Sequence, residues 1–171
     1  GSHLMAYIHT SGKTENKITE DNFLIVNNTD GAAEALTNNK ADLFLWEKYT
    51  TQPFVEKQIF KRIDICPTPW PCFVIAVRDE FIANEKETLL AVLEVINSIT
   101  ASFKDIPEID EIISKRYEQK IEDVKNWLAL TEWSQKNIDP STIEAVQNQL
   151  IKFDIISKKL PYNQLTANLE D

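Results

Sequence analysis

The side chains best suited to chemistry are aromatic and hydroxyl groups between positions 43 and 71, a stretch that ends in three closely spaced prolines. Trp46 and Glu47 close a predicted strand, and Pro67-Thr68-Pro69-Trp70-Pro71 enters a later one. Proline fixes φ and lowers the entropy cost of holding a binding segment ready. The pattern predicts a preformed wall of a ligand cleft. Its aromatic faces would come from Trp46, Tyr49 and Trp70, and its hydrogen bonds from Thr50, Thr51 and Thr68.

The same residues have a second interpretation, which stays open. Trp46 and Trp70 are equally suited to a hydrophobic core, because large aromatic side chains dominate core packing. The prolines would then only steer the chain between two lobes.

Catalytic and cofactor chemistry finds little support. The glycines are Gly1, Gly12 and Gly31, whereas phosphate-binding loops need clustered glycines. Cys66 and Cys72 are too few for a disulfide framework or a four-ligand zinc site. His3 and His9 stand six positions apart, so they do not share one helix face. The sequence therefore predicts no cofactor, no metal site and no catalytic residue.

Charge and hydropathy exclude two classes of partner. The chain has 171 residues, enough for one domain or two small lobes, and its 27 acidic against 18 basic residues give a net charge of −9. A phosphate backbone would be repelled, which argues against nucleic acid. Apolar runs such as Cys72 to Val77 are far shorter than the roughly 20 residues that span a bilayer. We therefore expect no membrane insertion.

Hydrophobic patterning predicts an α/β fold. Short apolar or alternating runs predict strands at 23–26, 42–46, 59–66 and 72–77. The order strand, capped helix, strand over 23–46 predicts a βαβ unit with parallel strands. Helices are predicted at 2–11 with Ser2 as cap, 32–39, near Pro53, from Glu85 for about 19 residues, 108–116, 117–129, and 140–153 with Asp139 as cap. The predicted domains are an α/β domain at 1–77 and a helical portion at 78–171.

Two segments carry a family resemblance. Trp46-Glu47-Lys48-Tyr49-Thr50-Thr51-Gln52-Pro53-Phe54 and Pro67-Thr68-Pro69-Trp70-Pro71 are similar to the W-E-x-[FY]-T-T-x-P-[FY] and P-T-P-W-P segments of a solute-binding-like subgroup. That subgroup belongs to the type 2 periplasmic-binding-protein fold. Its superfamily includes the ABC-transporter solute-binding proteins for alkanesulfonates, taurine, nitrate and thiamine pyrimidine precursors. The resemblance implies that 1–77 form the second lobe, a mixed or mostly parallel sheet flanked by helices. Residues 78–171 would be the helical return of an incomplete first lobe.

The same resemblance assigns ligand-binding residues. Ser2 and His3 would present a hydroxyl and backbone N–H groups to an anionic or polar ligand at a helix N-terminus. The resemblance also places contacts at the ends of the first two strands, and a hinge at Trp70 and Pro71. The strand-end contacts are Asn28, Thr29 and Asp30 after the first strand, and Trp46, Glu47 and Thr50 after the second.

The predicted function is the binding of a small polar or anionic organic solute between two lobes that close by a hinge motion. Two alternatives stay open: an enzyme similar to the fungal thiamine-pyrimidine synthase, which belongs to the same superfamily, and an interaction domain that keeps the fold without binding a ligand. The resemblance implies an ABC permease as a further partner. A homodimer would cover the surface that an incomplete first lobe leaves open.

The first residues allow two origins. Gly1-Ser2-His3 is a familiar protease-cleavage remnant. It also fits the later part of a Gly-Ser-Gly-Ser-His type segment at the start of the second-lobe helix in the subgroup. Met5 is the only methionine, so a signal region would lie outside this chain. The compartment, cytoplasmic or periplasmic, is left open.

Overall fold

The regular secondary structure is helical. The computed structural model describes residues 1–13 and 18–169, and these ranges contain no strand. The α-helices are α1 (Ser2–Thr10), α2 (Thr29–Thr37), α3 (Gln52–Glu56), α4 (Asp79–Asn84), α5 (Lys86–Ala101), α6 (Ile109–Tyr117), α7 (Ile121–Leu130) and α8 (Pro140–Lys152). Short 3₁₀ turns lie at Glu20–Asn22, Phe103–Asp105 and Tyr162–Gln164. Over the described ranges, none of the helices has the length and apolar character needed to cross a bilayer.

The chain divides into two compact units, Gly1–Pro69 and Trp70–Asp171. The first unit contains α1 to α3, and the second contains α4 to α8. The sequence predicts a domain boundary after residue 77, and that assignment to two lobes remains a prediction.

The predicted α/β fold is wrong for the described part of the chain. The four segments expected to be strands, 23–26, 42–46, 59–66 and 72–77, run outside helices without forming a sheet. Apolar β-branched residues favour extended backbone locally, but a strand also needs a partner whose hydrogen bonds complete the ladder. The third segment is partly used in a turn instead, because the Ile59 N–H donates to the Phe54 carbonyl at 2.9 Å. Because no sheet forms, the predicted βαβ unit and its parallel strands are absent from the described residues.

The helices agree with the sequence-based predictions better than the strands do. The predicted helices near Pro53, at 108–116, 117–129 and 140–153 are confirmed as α3, α6, α7 and α8, with ends shifted by up to four residues. The long helix predicted from Glu85 is α5, which has 16 residues. At α1, Gly1 rather than Ser2 holds the N-cap position. At α2, Asn28 is the N-cap, and its Oδ1 accepts from the Gly31 N–H at 2.8 Å.

Each unit buries a few side chains. In the first unit Ala6 of α1, Ala32 and Ala35 of α2, and Tyr49 are buried. The end of α1 also reaches the segment before Cys66, because His9 Nε2 lies 3.1 Å from Asp64 Oδ2. In the second unit α6 packs on α7, where Val124 is buried. Trp133 there packs edge-on against Phe103 and Trp127, with ring centroids 5.0 and 5.9 Å away.

A buried side-chain amide of α8 forms hydrogen bonds with the C-terminal segment. Gln147 is 8% exposed, and its Nε2 donates to the Leu160 carbonyl at 3.1 Å. Its Oε1 accepts from the Leu160 N–H at 2.7 Å. One side chain thus satisfies both backbone groups of a residue that lies outside any helix, which matters because an unpaired buried polar group is costly.

We predict that Gln147→Leu lowers the free energy of unfolding by about 1–3 kcal/mol, because both hydrogen bonds to Leu160 are lost. Urea unfolding followed by circular dichroism measures the change. Asn148→Ala is the control, since Asn148 is an exposed neighbour on the same helix. Equal destabilisation by the two variants would contradict a special role for the buried amide.

The N-terminus of α8 is capped as the sequence predicts. Asp139 Oδ1 accepts from the Ser141 N–H at 2.8 Å and from the Ser141 hydroxyl, and Pro140 takes the first helical position. The Ser141 hydroxyl, followed by the backbone N–H of Ser141, lowers the pKa of the Asp139 carboxyl below its ordinary value. Donors that bind the ionised form stabilise it, and this effect outweighs the opposing desolvation.

This cap predicts an acid-dependent stability. A carboxyl whose pKa is lowered in the folded state contributes stability above its unfolded pKa of about 3.9 and loses it as the pH falls through the folded value. Acidification below about pH 4 should therefore reduce the unfolding free energy more in the wild type than in Asp139→Asn, which keeps an acceptor oxygen but does not titrate. Urea titrations across this pH range test the difference. Parallel curves for the two proteins would refute it.

Candidate functional site

The turn between Trp46 and α3 is built by its own polar side chains. Glu47 Oε2 accepts from the Thr50 backbone N–H at 2.6 Å and from the Thr50 hydroxyl at 2.9 Å. The Thr51 hydroxyl lies 3.0 Å from the carbonyl oxygens of both Glu47 and Lys48, its two possible acceptors. Glu47 therefore closes the turn much as an N-cap residue closes a helix.

The Arg62 guanidinium holds this turn through two hydrogen bonds, and we call this two-armed contact the clasp. Its Nη2 donates to the Lys48 carbonyl at 2.8 Å, and its Nη1 donates to Gln52 Oε1 at 2.6 Å. Gln52 in turn donates to Glu56 Oε1 at 3.2 Å, one turn further along α3. A planar guanidinium suits this task because its fork reaches two acceptors at once. The clasp joins the turn, α3 and the segment after α3 into one rigid corner.

A row of aromatic rings supports the same corner. Phe54 of α3 stacks on Phe60 with centroids 4.9 Å apart, and Phe60 lies 5.9 Å from Phe44. Phe44 stacks on Trp46 at 6.1 Å with an interplanar angle of 11°. Trp46 ends the row and is 59% exposed. Its indole is therefore a flat apolar surface that is held from one side and open to solvent.

Tyr49 differs from the expectation. The sequence pattern predicts it as a third aromatic face of the cleft wall, but Tyr49 is buried. Lys48 Nζ lies 4.6 Å from the centre of its ring, within the range of a cation–π contact. Tyr49 thus anchors the turn, and Trp46 supplies the exposed ring.

Ser2 and His3 lie in the first turn of α1, where the resemblance expects a ligand. The His3 imidazole lies 4.3 Å from the Phe23 ring, and Tyr7 meets the same ring edge-on at 5.5 Å. The Tyr7 hydroxyl donates to Glu20 Oε1 at 3.2 Å. Desolvation, helped by the Glu20 carboxylate, raises the pKa of Tyr7. Phe23 is thus held between two side chains of α1.

Asn28, Thr29 and Asp30 lie together at the start of α2. The Asn28 side-chain oxygen is engaged in the cap described above. Asp30 is exposed in the first helical turn, where the helix dipole stabilises a negative charge. Both side chains therefore have a local structural role that does not require a ligand.

Thr68 and Trp70 fall on opposite sides of the division between the two units. Thr68 is an exposed residue of the first unit, and Trp70 is a half-buried residue that begins the second. Their predicted roles, in the cleft wall and at a hinge that includes Pro71, remain predictions.

Among the described residues up to position 65, hydrogen bonds bring Glu47 together with Thr50 and Thr51, both of which the sequence predicts to contact a ligand. Across the described ranges, no hydrogen bond, ion pair or ring contact links Ser2 or His3 to Trp46. The described residues also hold no group of three side chains suited to a metal ion. The site supported by contacts is therefore the corner around Trp46, Glu47, Thr50 and Arg62.

Comparison with protein families concerns this first unit. A family model described as Ca3427-like PBP matches residues 1–65. Residues 1–65 are similar to type 2 periplasmic-binding proteins. This PBP-like segment, residues 1–65, is less than half of the chain and contains the whole corner around Trp46. The Pro-Thr-Pro-Trp-Pro motif lies beyond it, and the narrower subgroup remains a prediction. No curated protein and no solved structure matches the chain.

Sequence reasoning missed Arg62, which the structure makes central to the corner. The available signal was weak, because a single arginine in an alternating segment reads as the polar position of a strand. It missed Phe44 and Phe60 in the same way, as strand residues. The hydrogen bonds of Arg62 and the contacts of Phe60 with Phe44 and Phe54 depend on chain reversal after α3, at Gln58 with its φ of 58°.

We predict that Arg62→Lys loosens the turn, because an ammonium cannot reproduce the two-armed contact of the guanidinium. The free energy of unfolding should fall by roughly 1–2 kcal/mol. The Thr50 amide, which is bound to Glu47, should exchange its hydrogen faster. Lys61→Ala is the matched control, since Lys61 is an exposed neighbour. Unchanged exchange at Thr50 in Arg62→Lys would show that the clasp does not hold the turn.

Proposed function

We propose that the PBP-like segment belongs to a small-molecule-binding module for a polar or anionic organic solute. The observation that carries the proposal is the family match over residues 1–65. The contacts that the resemblance predicts at the first helix and at the ends of the first two strands fall inside that range, and they include Trp46, Glu47 and Thr50. The proposal goes beyond the match in naming a ligand class and a contact surface.

The corner around Trp46 supports binding by its shape and rigidity. The exposed indole is backed by Phe44, so a planar or apolar part of a solute can stack on it without ordering a new side chain. The Thr50 hydroxyl donates to Glu47 and keeps lone pairs that can accept a further hydrogen bond. This combination of one rigid apolar face and a few polar groups is typical of small-molecule sites.

The charged groups around the corner suit a polar solute. Lys48 and Arg62 both lie at the turn. The Glu47 carboxylate is already engaged by two donors from Thr50. Together with Glu56 of α3, the corner therefore carries two cationic and two acidic side chains, and these charges offset each other.

Delivery of the solute to an ABC permease would follow from the same resemblance. We include the permease as a proposed partner of the module, and its test belongs to the full transport system. The binding step comes first, because it can be measured on this chain alone.

One observation favours a second candidate, an interaction domain that does not bind a solute. Asn28, Glu47 and Thr50 are engaged in caps and turns of their own segments. Such side chains stabilise the fold with or without a ligand. A ligand screen separates the two candidates.

The binding proposal predicts that one compound raises the melting temperature in a thermal-shift screen of sulfonates, pyrimidine precursors and pyridoxal phosphate. Ligand binding to the native state alone stabilises it by mass action, by about 2.7 kcal/mol at one hundred times the dissociation constant. Trp46→Ala should weaken the binding of that compound by roughly tenfold, since a stacked aromatic contact is lost. Calorimetric titration gives the affinities.

Leu43→Ala is the control variant, because Leu43 is 62% exposed and precedes the same corner. It should leave the affinity unchanged, and both variants should keep the wild-type circular dichroism spectrum. No stabilisation by any compound at millimolar concentration favours the interaction domain. Equal weakening by both variants would place the solute away from Trp46.

A further inference from the structure

A surface hollow lies where the chain leaves α3. Its volume is about 470 Å³, which is within the range of small-molecule sites. We call it the α3 hollow, and its lining consists of Val55, Gln58, Ile59, Phe60, Lys61 and Arg62. Trp46 and Thr50 do not belong to this lining. The hollow is therefore a surface separate from the one on which the solute was proposed to stack.

The backbone around the α3 hollow is fixed by hydrogen bonds. After α3 the chain reverses at Gln58, whose φ is 58°. The N–H groups of Ile59 and Phe60 both donate to the Phe54 carbonyl, at 2.9 and 3.1 Å. The Gln58 N–H donates to the Val55 carbonyl at 3.0 Å. Helices commonly end in this way, with one left-handed residue. The hollow therefore exists before a ligand arrives, which lowers the entropy cost of binding.

The lining combines apolar surface with positive charge. Val55, Ile59 and Phe60 supply the apolar part, and Ile59 is 49% exposed. Lys61 and Arg62 supply two cations, and the lining includes no carboxylate. Such a surface fits a molecule that has an apolar group at one end and a negative charge at the other.

Neither cation forms an ion pair with a described carboxylate. Arg62 donates to three oxygens, and all of them are neutral: the Lys48 carbonyl, the Gln52 side-chain amide and the Thr51 hydroxyl. Lys61 is exposed, and it forms no hydrogen bond with another described residue. Both positive charges can therefore attract an anion.

Two carboxylates flank the hollow in sequence, and both lie outside its lining. Glu56 accepts from the Gln52 amide at 3.2 Å, and Asp64 lies 3.1 Å from His9. Residues 55–64 contain three cations and these two carboxylates, whereas the whole chain has a net charge of −9. The stretch around the hollow is thus basic in an acidic chain, which favours an anion at this place.

We propose that the α3 hollow binds a small organic anion, a carboxylate or sulfonate that carries an aryl or alkyl group. The charged end lies at Lys61, and the apolar end lies on Ile59 and Phe60. The Gln58 side chain forms no hydrogen bond within the described part of the chain, so its amide can donate to the same anion. Arg62 stays in the clasp and contributes its charge. The site does not depend on solute binding at Trp46.

The test is a titration of the full chain with benzoate and, separately, with benzenesulfonate, followed by NMR of the backbone amides and the Trp46 indole N–H. At least one of the two anions should produce saturable shifts of the Gln58, Ile59 and Lys61 amide signals. Benzyl alcohol has the same ring without the charge, so it should bind at least about fivefold more weakly.

Lys61→Glu should weaken the binding of that anion by roughly tenfold, because an attraction is replaced by a repulsion. Lys57→Glu is the matched control, since Lys57 is an exposed lysine of the same segment that lies outside the lining. It changes the net charge by the same amount and should alter the affinity by less than about threefold, because salt screens the more distant charge. Both variants should keep the wild-type circular dichroism spectrum.

Four results overturn the proposal: no saturable shift at the lining amides with either anion, benzyl alcohol bound as tightly as the anion, equal weakening by the two variants, or shifts confined to Trp46 and Thr50. The last result would support the solute site at Trp46 and reject the α3 hollow. Shifts at Gln58 and Ile59 without any at Trp46 would support the hollow and place this anion away from the indole.

Discussion

The two-armed contact of Arg62 with the Lys48 carbonyl and the Gln52 side chain is the constraint on which the candidate site depends. It holds a five-residue helix, α3, against the turn before it. A helix of that length is not stable by itself, because the cost of nucleation exceeds the gain from one turn of hydrogen bonds. The guanidinium therefore stabilises the local structure that presents the Trp46 indole to solvent.

The features predictable from sequence are those with a local cause. The cap at Asp139 needs only a carboxylate two residues before the Ser141 amide, with Pro140 between them. The cap at Asn28 has the same kind of cause, although the sequence placed the start of that helix three residues too late. Short-range signals of this kind act before any distant contact forms, so the sequence alone contains them.

The absence of a sheet from the described residues was not predictable in this way. Residues 23–26 and 72–77 have the composition of buried strands, yet composition specifies only the preferred backbone region and not a partner. Pairing requires a second segment in register, which is a non-local condition. The candidate site also has one local and one non-local part. The Glu47–Thr50 contact spans three residues, so it follows from the spacing of these residues in the sequence. The hydrogen bonds of Arg62 to the turn form only because the chain reverses after α3. The family match over residues 1–65 supports the broad resemblance and leaves its finer parts as proposals.

The contact between Gln147 and Leu160 has a consequence for the order of folding. It spans thirteen residues, and the clasp of Arg62 on Lys48 spans fourteen. Loops of about ten residues close within roughly 10–100 ns, far faster than distant segments find each other. Each unit can therefore form one such hydrogen-bonded segment early in folding, before its other residues collapse. Contacts between distant segments form later, so they rather than these short loops would limit the rate of folding.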